Sequence, residues 1–325
     1  MDFLNFPTCT RRVQVPKLML KVRNPQKMLH FFKSLKEEPI EAILFLCAFF
    51  SIIILFLMLF FIAKEGSQAF STFGLDLIIG QRWETNENLF GAFPLIYGSI
   101  MVVAGALAIA IPWGVVTAIF IAEVLPFSIR DFIKSLIELL ASIPSIIYGF
   151  IGVIYLAPQV ASLFGISFGT VALTASLILA IMSVPTIIGV SGEIISAVPK
   201  EYKEAALALG ATKWQTIKSV VIPIAKSGIL ASVMLGFGRA IGETVAVLMV
   251  AGNTAVIPTP PWNFLSPVYP LTAVIAMQMG EAAVGSLEYS ALFGLGLILF
   301  ILTFIVNTLA DVIVKREPKI RGGKK

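Results

Sequence analysis

Charge is scarce in this chain. Only 13% of its 325 residues are Asp, Glu, Lys or Arg, about half of the ~25% that soluble domains carry, too few to coat a water-facing surface. Histidine is almost absent (His30), and the two cysteines, Cys9 and Cys47, lie in a basic stretch and an apolar run. That excludes a Cys/His zinc cluster or a Cys–His nucleophile and makes a disulfide a poor expectation. No G-x-x-x-x-G-K-[ST] phosphate loop, HExxH, GxSxG or pair of intramembrane aspartates occurs. The chain is therefore expected to bind no ATP, perform no hydrolytic chemistry and need no cofactor or metal. The net charge of +5 does not point to nucleic acid, because the cations gather at the two ends, beside apolar runs.

Apolar length takes the place of charge: 58% of the residues are hydrophobic and mean hydropathy is +0.93. Residues 1–39 form a basic segment without an uninterrupted apolar core, so a cleaved signal peptide is not expected. Ala42 to Ala63 gives 22 uncharged residues, enough for a helical span of about 33 Å. A second span is expected over about Phe93–Ile121, with Pro112 inside it. Leu139 to Gly192 holds 54 positions without a charge, read as two spans, about 139–161 and 167–190, with Pro158, Gly165 and Gly169 supplying the turn. A fifth span is expected over Gly228–Ala251 and a sixth over about Tyr289–Val314.

Orientation follows from the distribution of Lys and Arg. The segments 1–39, 123–138, 193–226 and 315–325 carry them, whereas 252–288 has neither and 64–92 is slightly acidic. Both termini are therefore expected in the cytoplasm, with 64–92 and 252–288 outside. Between spans two and three, Ile129, Phe132, Ile133, Leu136 and Leu140 recur at helical spacing, and Ser128 with Asp131 reads as the capping box of an interfacial helix. Pro112, Pro144 and Pro185 each remove a backbone hydrogen bond inside an apolar run. Such sites are either packing kinks or helix breaks lining a transport route.

The segment 199–223 carries the strongest motif. Pro199 suits the first position of a helix, and an Ala/Leu-rich stretch runs to Gly210, which suits its C-terminus. Thr212 and Gln215 form a capping box for a second helix, with Trp214, Ile217 and Val221 on one face. Glu204-Ala205-Ala206, three residues, Gly210, nine residues, Val220, one residue, then Ile222-Pro223 resembles the EAA loop of ATP-binding-cassette importer permeases. Val220 and Ile222 stand where that pattern has Ile and Leu. The resemblance implies that Glu204, Ala205, Ala206, Gly210 and Pro223 belong to a cytoplasmic loop that docks into a cleft of a separate ATPase subunit.

Three further segments, Phe90 to Ser99, Ile143 to Gly149 and Gly238 to Val247, resemble phosphate importer permeases of the PstC type, with the similarity running over about 40–314. It implies an all-α integral membrane protein with the type I ABC importer permease fold, in the prokaryotic cytoplasmic membrane. On this reading 40–92 is a first helix with an external loop, 93–314 the permease domain and 315–325 a basic tail. The implied partners are a PstA-type permease in a heterodimer, PstB-type ATPase subunits and a PstS-type phosphate-binding protein meeting the two external loops, besides membrane lipid.

Arg239 and Glu243 stand at i and i+4 in the fifth span, on one helical face. A lone Arg near the middle of a span costs about 2.5–3.5 kcal/mol on insertion scales. Either the pair is a neutralised packing contact, or it borders the substrate route and Arg239 alternates between Glu243 and a passing oxyanion, whose two oxygens match a planar guanidinium. The function expected is import of inorganic phosphate. The alternatives are another oxyanion, molybdate or sulfate, and a proton-coupled secondary transporter using the same pair as a relay.

Overall fold

The computed structural model describes residues 39–316; the basic segment before Pro39 and the tail after Arg316 lie outside the described residues. Two compact units divide the chain, Met1–Phe60 and Phe61–Lys325. The described part of the first is the leading portion of helix α1 (Pro39–Phe73). Its Phe45 and Phe49 stack one turn apart, and residues such as Leu44, Phe50, Leu55 and Phe56 are exposed, as suits a helix surrounded by hydrocarbon.

In the second unit, α2 (Asp76–Ile79) and the two-residue antiparallel strands β1 (Trp83–Glu84) and β2 (Leu89–Phe90) lead into α3 (Phe93–Ile119), which ends in a π turn, Phe120–Val124. An amphipathic helix, α4 (Phe127–Ser142), follows. Then come α5 (Ser145–Ile151), a π turn at Gly152–Leu156, α6 (Ala157–Phe164) and α7 (Ala172–Ser196). The chain continues through α8 (Lys200–Ala208), α9 (Lys213–Thr216), a π turn at Ile217–Val221, α10 (Ile222–Gly242) and α11 (Val245–Val250). It closes with α12 (Leu271–Gln278) and α13 (Leu287–Arg316). Among the described residues six helical stretches are long and apolar enough to cross a membrane: Ile43–Phe73, Phe93–Val124, Ser145–Phe164, Ala172–Ser196, Lys213–Gly242 and Leu287–Leu309.

Helix α7 is the axis of the bundle, and small residues let its neighbours approach. Ala106, Ala110, Gly114 and Ala118 recur every four residues on the buried side of α3, the pattern that brings helices close where hydrocarbon gives no hydrophobic drive. A Cβ added at Gly114 or at Gly236 of α10 comes within 2.8 Å of the fully buried Ile187. Hydroxyls add polar links: Ser191 and Ser232 bridge α7 and α10 at 2.5 Å. At one end of the bundle Trp83 donates to Gln278 (2.9 Å), over a cluster that includes Leu77, Phe90, Leu271 and Leu292. At the other end Ala118, Ile121, Ile195 and Val221 pack together, joined by Ile133 and Ile137 of α4.

Several expectations change. Ser128 does not cap α4: Pro126, in extended conformation, occupies that position without a side-chain bond, so Ser128 already lies in the first turn. Pro158 sits within the third span, while both expected glycines serve the turn: Gly165 at φ +64° and Gly169, where an added Cβ would fall on the Ala157 carbonyl. Pro112 and Pro185 stay inside continuous helices, and Pro144 alone of the three stands at a break. The expected loops are shorter: α1 runs on to Phe73 and 252–288 contains α12. The largest correction concerns span five, which starts at Lys213 and stops at Gly242. Lys213, Lys218 and Lys226 break the apolar pattern without breaking the helix, since cationic side chains near a span end can reach the interface.

Candidate functional site

The motif at 199–223 folds into an elbow. Pro199 is the N-cap of α8, one residue ahead of its expected place. After Ala208 the Ala211 N–H binds the Ala206 carbonyl (3.1 Å) and the Gly210 N–H binds that of Leu207 (2.9 Å). This is the paired closure of a Schellman motif, and Gly210 supplies the left-handed residue at φ +82°. Thr212 then caps α9: its Oγ1 accepts from Gln215 N, and Gln215 Oε1 accepts from Thr212 N (2.8 Å). Glu204, Ala205, Gly210 and Pro223 are exposed and Ala206 is half-buried. Of the residues expected on one face of the second helix, Ile217 and Val221 are buried and Trp214 is 65% exposed; Leu209 is 90% exposed. The elbow therefore leaves two large apolar side chains exposed at its corner.

The second feature lies at membrane depth. Arg239 falls in the last turn of α10 rather than mid-span, and the helix stops at Glu243, whose backbone is extended (φ −69°, ψ 130°). The Glu243 carbonyl, left without a helical donor, accepts from Thr272 Oγ1 at 2.9 Å. Arg239 Nε stands 3.9 Å from Glu243 Oε1, with the two side chains 29% and 16% exposed. The same guanidinium donates from Nη1 to Thr186 Oγ1 (3.2 Å) and from Nη2 to the Ala141 carbonyl (3.4 Å). Ala141 belongs to the last turn of α4, just before the Pro144 break, and the neighbouring Leu140 carbonyl accepts from Tyr148 Oη at 2.8 Å. Unpaired carbonyls at a helix end inside hydrocarbon must find donors, and a cation there also meets the negative end of the helix dipole. Arg239 thus joins two interrupted helices, α4 and α10, to α7 beside Pro185.

At 3.2, 3.4 and 3.9 Å the three contacts of the guanidinium are all longer than the usual charge-assisted bond. The carboxylate is held as a loose ion pair at 3.9 Å. Sequence reasoning paired Arg239 with Glu243 but missed Thr186, Ala141 and Thr272, which come from distant segments. Tyr148 lies within the quoted Ile143–Gly149 segment and was given no role there.

Six membrane-spanning helices with a helical elbow between two of them, and a charged pair where helices break, are the features of a multi-span membrane permease. Residues 110–317 match the family of binding-protein-dependent transport system inner membrane components, and the chain belongs to that family. It is 34% identical over 290 residues to the probable ABC transporter permease protein YqgH of Bacillus subtilis, covering 88% of this chain and 93% of that one. It is 39% identical over 268 residues to the phosphate transport system permease protein PstC of Mesorhizobium japonicum, covering 77% and 81%. Among solved structures, a chain of a bacterial alginate ABC transporter in complex with its pentasaccharide-bound periplasmic protein aligns at TM-score 0.61 with 15% identity, over 88% of this chain and 97% of that one. The fold is that of a type I ABC importer permease, and the protein is a multi-pass component of the inner membrane.

Proposed function

We propose that this chain is the permease subunit that carries inorganic phosphate inward through an ATP-driven importer, with hydrolysis confined to a separate ATPase. The observation that carries this reading is the loosely held guanidinium of Arg239 at the meeting of broken helices, in a chain whose relatives are named for phosphate transport. Arg239 passes from Glu243 to a phosphate oxyanion as the anion moves by, and Glu243 keeps the empty site neutral. The elbow, with Glu204, Ala205, Ala206, Gly210 and Pro223, faces the cytoplasm and seats in a PstB-type ATPase, and both termini lie on that side. A PstA-type permease completes the pathway, and a PstS-type binding protein delivers phosphate to the surfaces at 64–92 and 252–288. The segment 93–314 is the permease domain proper.

Reconstitution of the chain with these partners in proteoliposomes tests the reading. Phosphate uptake is expected to require ATP and to survive an uncoupler. Preferential competition by molybdate or sulfate reassigns the anion; uptake without the ATPase that collapses with an uncoupler makes the protein a proton-coupled carrier. A cysteine introduced at Leu209 is expected to react with an impermeant thiol reagent from the cytoplasmic side alone.

A further inference from the structure

The elbow is joined through the chain to α7 and α10, but not to α3. A polar contact makes that connection. Lys203, in the middle of α8, places Nζ 2.5 Å from Glu123 Oε1, and the two side chains are only 21% and 11% exposed. Exposed ion pairs contribute little; one hydrogen-bonded and largely withdrawn from solvent fixes the geometry of both partners. Among the described residues none in α8 is buried, so the helix has little apolar anchorage of its own. Glu123 stands in the π turn that ends α3, and Arg130 of α4 fastens the same turn by donating to the carbonyls of Ala122 (2.6 Å) and Leu125 (3.3 Å). π turns are concentrated at functional positions in helices.

At its far end α3 reaches the broken helix. Ser99 Oγ accepts from the Leu271 N–H at 2.8 Å, and the next residue, Thr272, donates to the Glu243 carbonyl. A continuous run of contacts therefore leads from Lys203 through Glu123, α3, Ser99 and Leu271–Thr272 to the site of Arg239 and Glu243. We infer that Lys203 and Glu123 are positioning residues that pass movement of the elbow into α3 and so to the Glu243 break. This rests on the reading of the elbow as the ATPase contact.

The assembled importer in proteoliposomes tests it, with phosphate uptake and ATP hydrolysis measured on the same preparation. Lys203→Met and Glu123→Gln are expected to lower uptake per ATP hydrolysed about tenfold, within the range of energetic couplings between linked sites. The reversed pair, Lys203→Glu with Glu123→Lys, is expected to recover most of the ratio. Should a single change unfold the subunit by stranding a charge, the double variant Lys203→Met/Glu123→Gln strands none, and its ratio decides. A wild-type ratio in the double variant, or no recovery in an assembled reversed pair, overturns the inference. Failure of every variant to assemble overturns it too, because the pair is then a folding contact. A wild-type importer that moves no phosphate with ATP counts against the proposed function instead.

Discussion

The elbow and the Arg239 crossing are both places where a helix stops and another begins, yet they satisfy their backbone in opposite ways. The elbow closes on itself: carbonyls of α8 are met by the N–H groups of Gly210 and Ala211, and Thr212 and Gln215 cap α9 within four residues. At the crossing, the carbonyls at the end of α4 are met by Arg239 and Tyr148, and that of Glu243 by Thr272. A corner with internal closure keeps its shape when pushed. A corner closed by its neighbours loses bonds whenever those neighbours shift. The first corner can move as a rigid body, whereas the second cannot shift without exchanging partners.

The largest effect should come from removing the guanidinium. Arg239→Ala strands a half-buried carboxylate and a helix end, and breaking a buried pair of this kind costs about 3–5 kcal/mol, so little assembled subunit is expected on membrane blots. Arg239→Lys separates folding from transport. The charge remains, but the planar fork does not, so normal assembly is expected with phosphate uptake lower by about tenfold or more. Equal uptake by this variant and the wild type removes any substrate role for Arg239 and leaves it a packing residue. Next comes Thr186→Val, which keeps shape and deletes one bond to a charged partner, worth about 1.5–3 kcal/mol at good geometry. At 3.2 Å the lower end of that range is expected, read as a modest fall in the denaturant needed to unfold the subunit.

The same contrast explains what could be read from the sequence. Local closures leave local signatures: Gly210, Thr212 and Gln215 are spaced by the motifs they form, and the elbow was legible to within a residue at Pro199. Six apolar stretches were likewise visible, because hydrocarbon thickness sets their length. The end of span five was not. Lys226 suggested that the helix starts after it, and the apolar run through Val250 hid the break at Glu243. A break that depends on Thr272, and a cap for α4 supplied by Arg239 from about a hundred positions away, leave no periodic trace. Helical spacing put Trp214 on one face with Ile217 and Val221 but could not say that Trp214 is left exposed while the other two are buried.

The elbow predictions are smaller and sharpen the comparison from its other side. Gly210→Val forces a β-branched residue into φ +82°, and a left-handed backbone costs an ordinary L-residue about 1–2 kcal/mol. Since a Cβ at Gly210 meets nothing within 4 Å, any defect is conformational rather than steric. Asn, which tolerates this conformation, is therefore expected to restore most of the uptake that Val loses. Thr212→Ala is the mildest case. It removes the cap of α9, worth typically about 1 kcal/mol, or about a fivefold shift in a local equilibrium. The loss should stay local, because among the described residues the Thr212 and Gln215 cap shares no hydrogen bond with the Lys203–Glu123 contact or with the crossing. Amide exchange at Gln215 and Thr216 should quicken several-fold while exchange along α10 near Arg239 keeps its wild-type rate. Faster exchange at both places would mean that the cap of α9 also reaches the crossing, by a route other than Lys203 and Glu123, and that the elbow is softer than its internal closure implies.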